Sequence, residues 1–147
     1  MILLVFLVAL VGVASFSFSG SRGGLSISGW STKLRRSLQM ATPGTTEYFQ
    51  KLVDGNKVLL FMKGNKIFPQ CGFSNTAVRI LDAVGQPFET VNVLDDDRVR
   101  NGVKEFSSWP TIPQLYVDGE FVGGTDVMIE LYQNGELAEM IEVATAS

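Results

Sequence analysis

Histidine is absent from this 147-residue chain, and cysteine occurs once, as Cys71. Without an imidazole the chain can form no Ser-His-Asp triad and no Cys-His pair. A single thiol excludes an intrachain disulfide, a two-cysteine redox pair and any zinc or iron–sulfur site whose ligands all come from one copy. Whatever Cys71 does, it does alone or with a second molecule. Acidic residues are missing from residues 1–44, which carry Arg22, Lys33, Arg35 and Arg36 and a net charge of +4. Residues 45–147 hold all 15 acids and carry −7. That acidic part shows no basic stripe, which argues against a nucleic-acid partner.

The two parts read as different devices. Ile2 to Ala14 is an uncharged run of 13 residues, short of the roughly 20 needed to cross a bilayer. It fits the apolar region of a signal peptide, with Gly12, Ala14 and Ser15 near a cleavage point. From Ser15 to Gly44 the chain is rich in Ser, Gly and Thr with scattered basic residues, the composition of a transit peptide. A signal peptide followed by a transit peptide resembles the bipartite plastid presequence of algae with secondary plastids, and Phe16 after Ala14-Ser15 fits that pattern. Residues 1–44 are therefore predicted to be a presequence, signal peptide to about residue 15 and transit-like thereafter. The implied destination is the plastid stroma, with the mitochondrion and the secretory pathway as alternatives. Residues 45–147 form the mature domain, with no membrane association expected of it.

Within the domain, periodicity alternates between helix and strand. Thr45-Thr46 can cap a short helix through about Val53. Val58 to Met62 is an uninterrupted apolar run suited to a strand buried on both faces. A loop from Gly64 to Gln70 leads to a helix over Gly72 to Val84, stopped by Gly85. Phe88 to Leu94 alternates as a strand, and Asp95-Asp96-Asp97 opens a helix with Val99, Val103 and Phe106 inward. Asp118-Gly119 joins two short strands, Gln114 to Val117 and Glu120 to Val122, as a hairpin. Thr125 or Asp126 caps the next helix, and a last helix runs from Glu136 to Ala144. The expectation is an α/β fold with a small mixed four-stranded sheet flanked by helices on both faces.

Cys71 follows a loop and immediately precedes a helix, where the dipole and free amides favour a thiolate. Lys63 and Lys66 lie in or beside that loop and are expected to add positive potential. Cys71-Gly72-Phe73-Ser74 has the spacing of a redox pair whose second cysteine is serine, so a resolving thiol must come from outside.

The segment Lys63 to Ser74, the segment Trp109-Pro110-Thr111-Ile112-Pro113-Gln114-Leu115 and the segment Gly123-Gly124-Thr125-Asp126 together resemble the three motifs of monothiol glutaredoxins of the CGFS class. The resemblance covers residues 45–147 and implies a thioredoxin-like fold. It implies that Cys71 is both nucleophile and iron ligand, and that Lys63 and Arg100 pair with the glycine carboxylate of glutathione. It implies that Thr111 and Ile112 offer backbone groups to the cysteinyl part, with Pro113 a cis proline shaping that edge. Gly124, Thr125 and Asp126 would hold the γ-glutamyl end, and Phe73 would border the site. The family commonly has Cys or Ser where this chain has Thr125, so a disulfide from there to Cys71 is impossible.

The resemblance further implies a [2Fe–2S] cluster and glutathione as cofactors. A cluster needs four ligands; two chains and two glutathiones supply them, so a cluster-bound homodimer is expected. Apo iron–sulfur proteins would be acceptors, and a BolA-like partner could supply the histidine this chain lacks. The other activity implied is glutathione–disulfide exchange at Cys71, that of a weak monothiol oxidoreductase.

Overall fold

The computed structural model describes residues 41–146. The expected signal and transit segments lie almost entirely outside the described residues. The order of elements is α1 (Thr46–Asp54), β1 (Val58–Met62), α2 (Gly72–Val84), β2 (Glu89–Asn92), α3 (Asp97–Ser107), β3 (Gln114–Val117), β4 (Glu120–Gly123), α4 (Thr125–Asn134) and α5 (Glu136–Ala146). The strands form one sheet in the order β2-β1-β3-β4. β1 runs parallel to β2 and antiparallel to β3, and β3 runs antiparallel to β4.

The apolar run of β1 explains the layering. All five of its residues are buried. Because a strand alternates its side chains, Val58, Leu60 and Met62 enter a core made with α2, α4 and α5, including Val78, Leu81, Met128, Leu137 and Ile141. Leu59 and Phe61 enter the opposite core with α1 and α3, including Phe49, Val53, Val99 and Val103. The second core is aromatic: the Phe61 ring meets Phe49 at 5.8 Å and Tyr116 at 5.5 Å. Tyr116 meets Phe121 at 5.4 Å, and Phe121 meets Trp109 at 5.7 Å. Edge-on and tilted ring pairs of this kind add about 0.5–1.5 kcal/mol each beyond simple burial. The ring chain runs from the middle of the sheet to Trp109, so the core props one wall of the site described below.

Local signals in the sequence act as expected at most boundaries. The Thr45 hydroxyl accepts the Tyr48 amide and caps α1, and Asp96 caps α3 by accepting the Arg98 amide at 2.8 Å. Gly85 ends α2 in the left-handed region, φ +78°. Asp118 and Gly119 both have positive φ, 49° and 84°, as the tightest hairpin turn demands. Two expectations need correction. β2 is shorter than Phe88 to Leu94, because Asn92 Oδ1 accepts the Leu94 amide at 3.1 Å and turns the chain out of the sheet. The cap of α4 is Gly124, not Thr125 or Asp126; it makes no side-chain cap bond, and Thr125 is the first helical residue. No helix among the described residues is long and apolar enough to cross a membrane.

Candidate functional site

A cavity of about 430 Å³ opens where the N-terminal ends of α2 and α4 meet α3 and the 109–113 segment. It lies within the range of small-molecule sites, about 300–1,000 Å³. All ten candidate residues line it. Cys71 and Phe73 come from the start of α2 and Lys63 from the end of β1. Arg100 comes from α3; Thr111, Ile112 and Pro113 come from the segment before β3; Gly124, Thr125 and Asp126 come from the start of α4.

Cys71 occupies the N-cap position of α2 with extended backbone, φ −151° and ψ 141°. Its thiol is held below the ordinary thiol range, first by the backbone amide of Ser74. Partial burial opposes this, while the Phe73 amide, the Lys63 charge and the Ser74 hydroxyl reinforce it. Cys71 is partly exposed on the cavity wall, so this thiol is open to a reagent. Lys66, expected to contribute, is used elsewhere. Its ammonium bonds the Phe88 carbonyl and sits 4.1 Å from the centre of the Phe88 ring.

The loop from Lys63 to Gln70 is closed on itself. Gln70 N–H donates to the Lys63 carbonyl at 2.9 Å. Asn65 Oδ1 accepts the amides of Ile67 and Phe68 at 3.0 and 2.8 Å. Gly64 N–H donates to Asn92 Oδ1 at 2.8 Å, tying the loop to the end of β2. Gly64 has φ +89°, and a Cβ there would lie 2.3 Å from the Phe68 carbonyl oxygen, so only glycine fits. The loop thus presents Ile67 and Phe68 to solvent, 79% and 71% exposed.

Positive potential concentrates in this cavity although the domain is acidic. Lys63, Arg100 and Lys104 line it. Asp96, which the sequence places near Arg100, pairs instead with Arg98 at 2.8 Å. The amides at the start of α4 add the positive end of its dipole, and no side chain caps them. Asp126 is the one acid on the wall among the described residues. This arrangement suits a small ligand with carboxylates at both ends and an ammonium at one.

Thr125 has a role that sequence reasoning did not supply. Its hydroxyl donates to the Phe73 carbonyl at 3.3 Å, so it fastens α4 to α2. Sequence reasoning also missed Lys104, one helical turn after Arg100 and therefore on the same face of α3. Trp109, Pro110 and Val127 complete the lining. The Ile112–Pro113 peptide is cis, as expected.

The glutaredoxin family model matches residues 58–122. The chain is 64% identical over 105 residues to a monothiol glutaredoxin, ycf64-like, of Synechocystis sp., covering 71% of this chain and 98% of that one. It is 51% identical over 116 residues to the chloroplastic monothiol glutaredoxin-S14 of Arabidopsis thaliana, covering 79% and 67%. Among solved structures it matches reduced apo GrxS14 of poplar with a TM-score of 0.62 and 55% identity, covering 69% of this chain and 93% of that one. A buckwheat glutaredoxin–glutathione complex matches with a TM-score of 0.61 at 22% identity, over 69% and 90%, and speaks to the fold. With a relative this similar covered almost from end to end, and with the lone thiol on the wall of the cavity, the chain belongs to the glutaredoxin family, among its monothiol members.

Proposed function

We propose that this protein carries a [2Fe–2S] cluster as cargo, held between two copies by Cys71 of each and by two glutathione thiolates, and passes it to apo iron–sulfur proteins. The observation that carries the reading is the chain's one thiol, its pKa lowered and its side chain partly exposed, on the wall of a cavity lined also by Lys63, Arg100, Lys104 and Asp126. One chain supplies one thiolate toward the four that a cluster takes, so glutathione and a second chain complete the set.

The residues divide the binding work. Lys63, Arg100 and Lys104 attract the glycine carboxylate. Ile112 offers its backbone to the cysteinyl unit in the manner of an added strand. The uncapped amides of α4 receive the γ-glutamyl carboxylate, and Asp126 its ammonium. Because glutathione is not covalently joined to the protein, the assembly comes apart by ligand exchange, as a carrier requires. A BolA-like partner in place of one copy would bring the histidine that this chain lacks. Chloroplastic relatives support the plastid as the compartment, which agrees with the presequence expected in residues 1–44.

The test is anaerobic reconstitution of the full-length chain with iron, sulfide and glutathione, followed by visible absorption and size-exclusion chromatography. A coloured dimer that bleaches to a monomer is expected, and Cys71→Ser or omission of glutathione should leave a colourless monomer. A colourless wild-type monomer would refute the carrier.

The lowered pKa of Cys71 favours a second reading, glutathione–disulfide exchange. The Cys71 thiolate attacks the glutathione sulfur of a protein–glutathione disulfide, that S–S bond breaks, and the protein thiolate leaves. A second glutathione thiolate then attacks the Cys71–glutathione bond, releasing oxidised glutathione and the Cys71 thiolate. Turnover of a glutathionylated substrate by the monomer measures it.

A further inference from the structure

Gln114 is, with Ser74 and Thr125, one of the buried polar side chains among the described residues. It opens β3 and is 0% exposed. A buried amide is costly unless its hydrogen bonds are made, and here they are. Both Nε2 bonds go to one short segment: to the Trp109 carbonyl at 3.0 Å and to the Thr111 carbonyl at 3.1 Å. Its Oε1 accepts the Tyr116 hydroxyl at 3.3 Å. Tyr116 is itself 2% exposed and wedged against Phe61 and Phe121. The amide therefore has no freedom to turn, and its donors fix two carbonyls of the segment that walls the cavity. From the other side, the Trp109 amide donates to the Lys104 carbonyl at 3.0 Å and to Ser107 Oγ at 3.2 Å.

A methionine would fill the same volume without buried polar atoms, so burial alone does not account for glutamine here. What glutamine adds is direction. With the Trp109 and Thr111 carbonyls drawn inward, the Trp109 indole stands against the start of α4, where a Cβ on Gly124 would lie 3.3 Å from its Nε1. We infer that Gln114 is a positioning residue for the tripeptide cavity: locked by Tyr116, it sets the course of residues 109–113 and so the width of the cleft between Trp109 and α4. It touches neither Cys71 nor the ligand space, and it acts through the backbone that it holds. This rests on the reading of the cavity as a glutathione site.

The test compares full-length wild type with Gln114→Met and Tyr116→Phe. Glutathione binding is measured by isothermal titration, urea unfolding gives stability, and the pH profile of iodoacetamide alkylation reports on Cys71. Gln114→Met should raise the glutathione Kd about tenfold, which is about 1.4 kcal/mol. Tyr116→Phe, which removes the hydroxyl that bonds Gln114 and also meets the Ser107 side chain, should raise it about threefold, and both should leave the alkylation profile of the folded protein unchanged. If either variant loses stability but the folded protein binds glutathione as wild type does, Gln114 is only a packing residue and the inference fails. If Gln114→Met does not fold, an unchanged Kd in Tyr116→Phe overturns the inference by itself. A wild type that binds no glutathione overturns the glutathione reading and this inference with it, an outcome distinct from a failure confined to the variants.

Discussion

The wholly buried Ser74 hydroxyl accepts the backbone N–H of Lys63 at 3.1 Å. The fourth residue of the Cys71 motif is thereby fastened to the residue that leaves β1. The serine that stands where a two-cysteine site has its second thiol is a structural tie between strand and helix. It also aims the Lys63 side chain and the first turn of α2 at the same cavity.

Ser74→Ala removes that acceptor and leaves the Lys63 amide without a partner. An orphaned, partly buried amide costs about 1–3 kcal/mol, so the urea midpoint should fall accordingly. The Cys71 pKa should rise only slightly, because the stronger influence is the Ser74 backbone amide, which alanine retains. A large upward movement of the alkylation profile with unchanged stability would contradict this assignment.

Lys63→Gln should do the reverse. Its charge lowers the Cys71 pKa more than the Ser74 hydroxyl does, so the alkylation midpoint should move up further while stability changes little. The sign for folding follows from linkage. The folded pKa lies below the unfolded one, so the thiolate's contribution to stability is complete above the unfolded value and is lost as pH falls through the folded value. The stability difference between wild type and Cys71→Ser should therefore shift in favour of wild type as pH rises across that window. Denaturant titrations at several pH values measure it.

Gly102 lies inside α3, where alanine is ordinarily preferred by about 1 kcal/mol. Here a Cβ would lie 2.6 Å from the Gly44 carbonyl oxygen and 2.8 Å from Cε2 of Phe49. Phe49 is 1% exposed and packed edge-on against Phe61 and at a tilt against Phe106, so it cannot yield. Overpacking of this kind costs about 1–3 kcal/mol. Gly102→Ala should thus be net destabilising in urea, against the helix-propensity trend.

Much of this arrangement was legible in the sequence, for reasons that differ by element. The five apolar residues of β1 announced a strand covered on both sides, and the Asp118-Gly119 pair announced its turn, because both signals are local. Cys71 before a helix announced a lowered pKa for the same reason. The direction taken by long side chains was not legible. Lys66 lies nearer to Cys71 in sequence than Lys63 does, yet it bonds the Phe88 carbonyl. Thr125 reads as a helix cap, yet its hydroxyl spans to Phe73, because only the packing of α4 on α2 brings those atoms together. Gln114 reads as an ordinary first strand residue, and its role depends on the path of the five residues before it.

The last prediction concerns two adjacent glycines that the motif presents as a pair. Gly123 has φ +152°, and a Cβ there would meet Val127 Cβ at 2.7 Å. Gly123→Ala should therefore lower stability through strain and a clash with α4. Gly124 has φ −90°, which alanine adopts freely. The nearest atoms to its Cβ would be Trp109 Nε1 at 3.3 Å, Pro113 O at 3.5 Å and Trp109 Cε2 at 3.9 Å, groups of the cavity wall. Gly124→Ala should keep stability within about 0.5 kcal/mol of wild type. It should raise the glutathione Kd several-fold, because the methyl enters the cleft where, in the proposed binding mode, the α4 amides meet a carboxylate. Urea unfolding and isothermal titration on both variants separate the two roles. If Gly124→Ala binds glutathione as wild type does, the ligand does not enter between Trp109 and the start of α4.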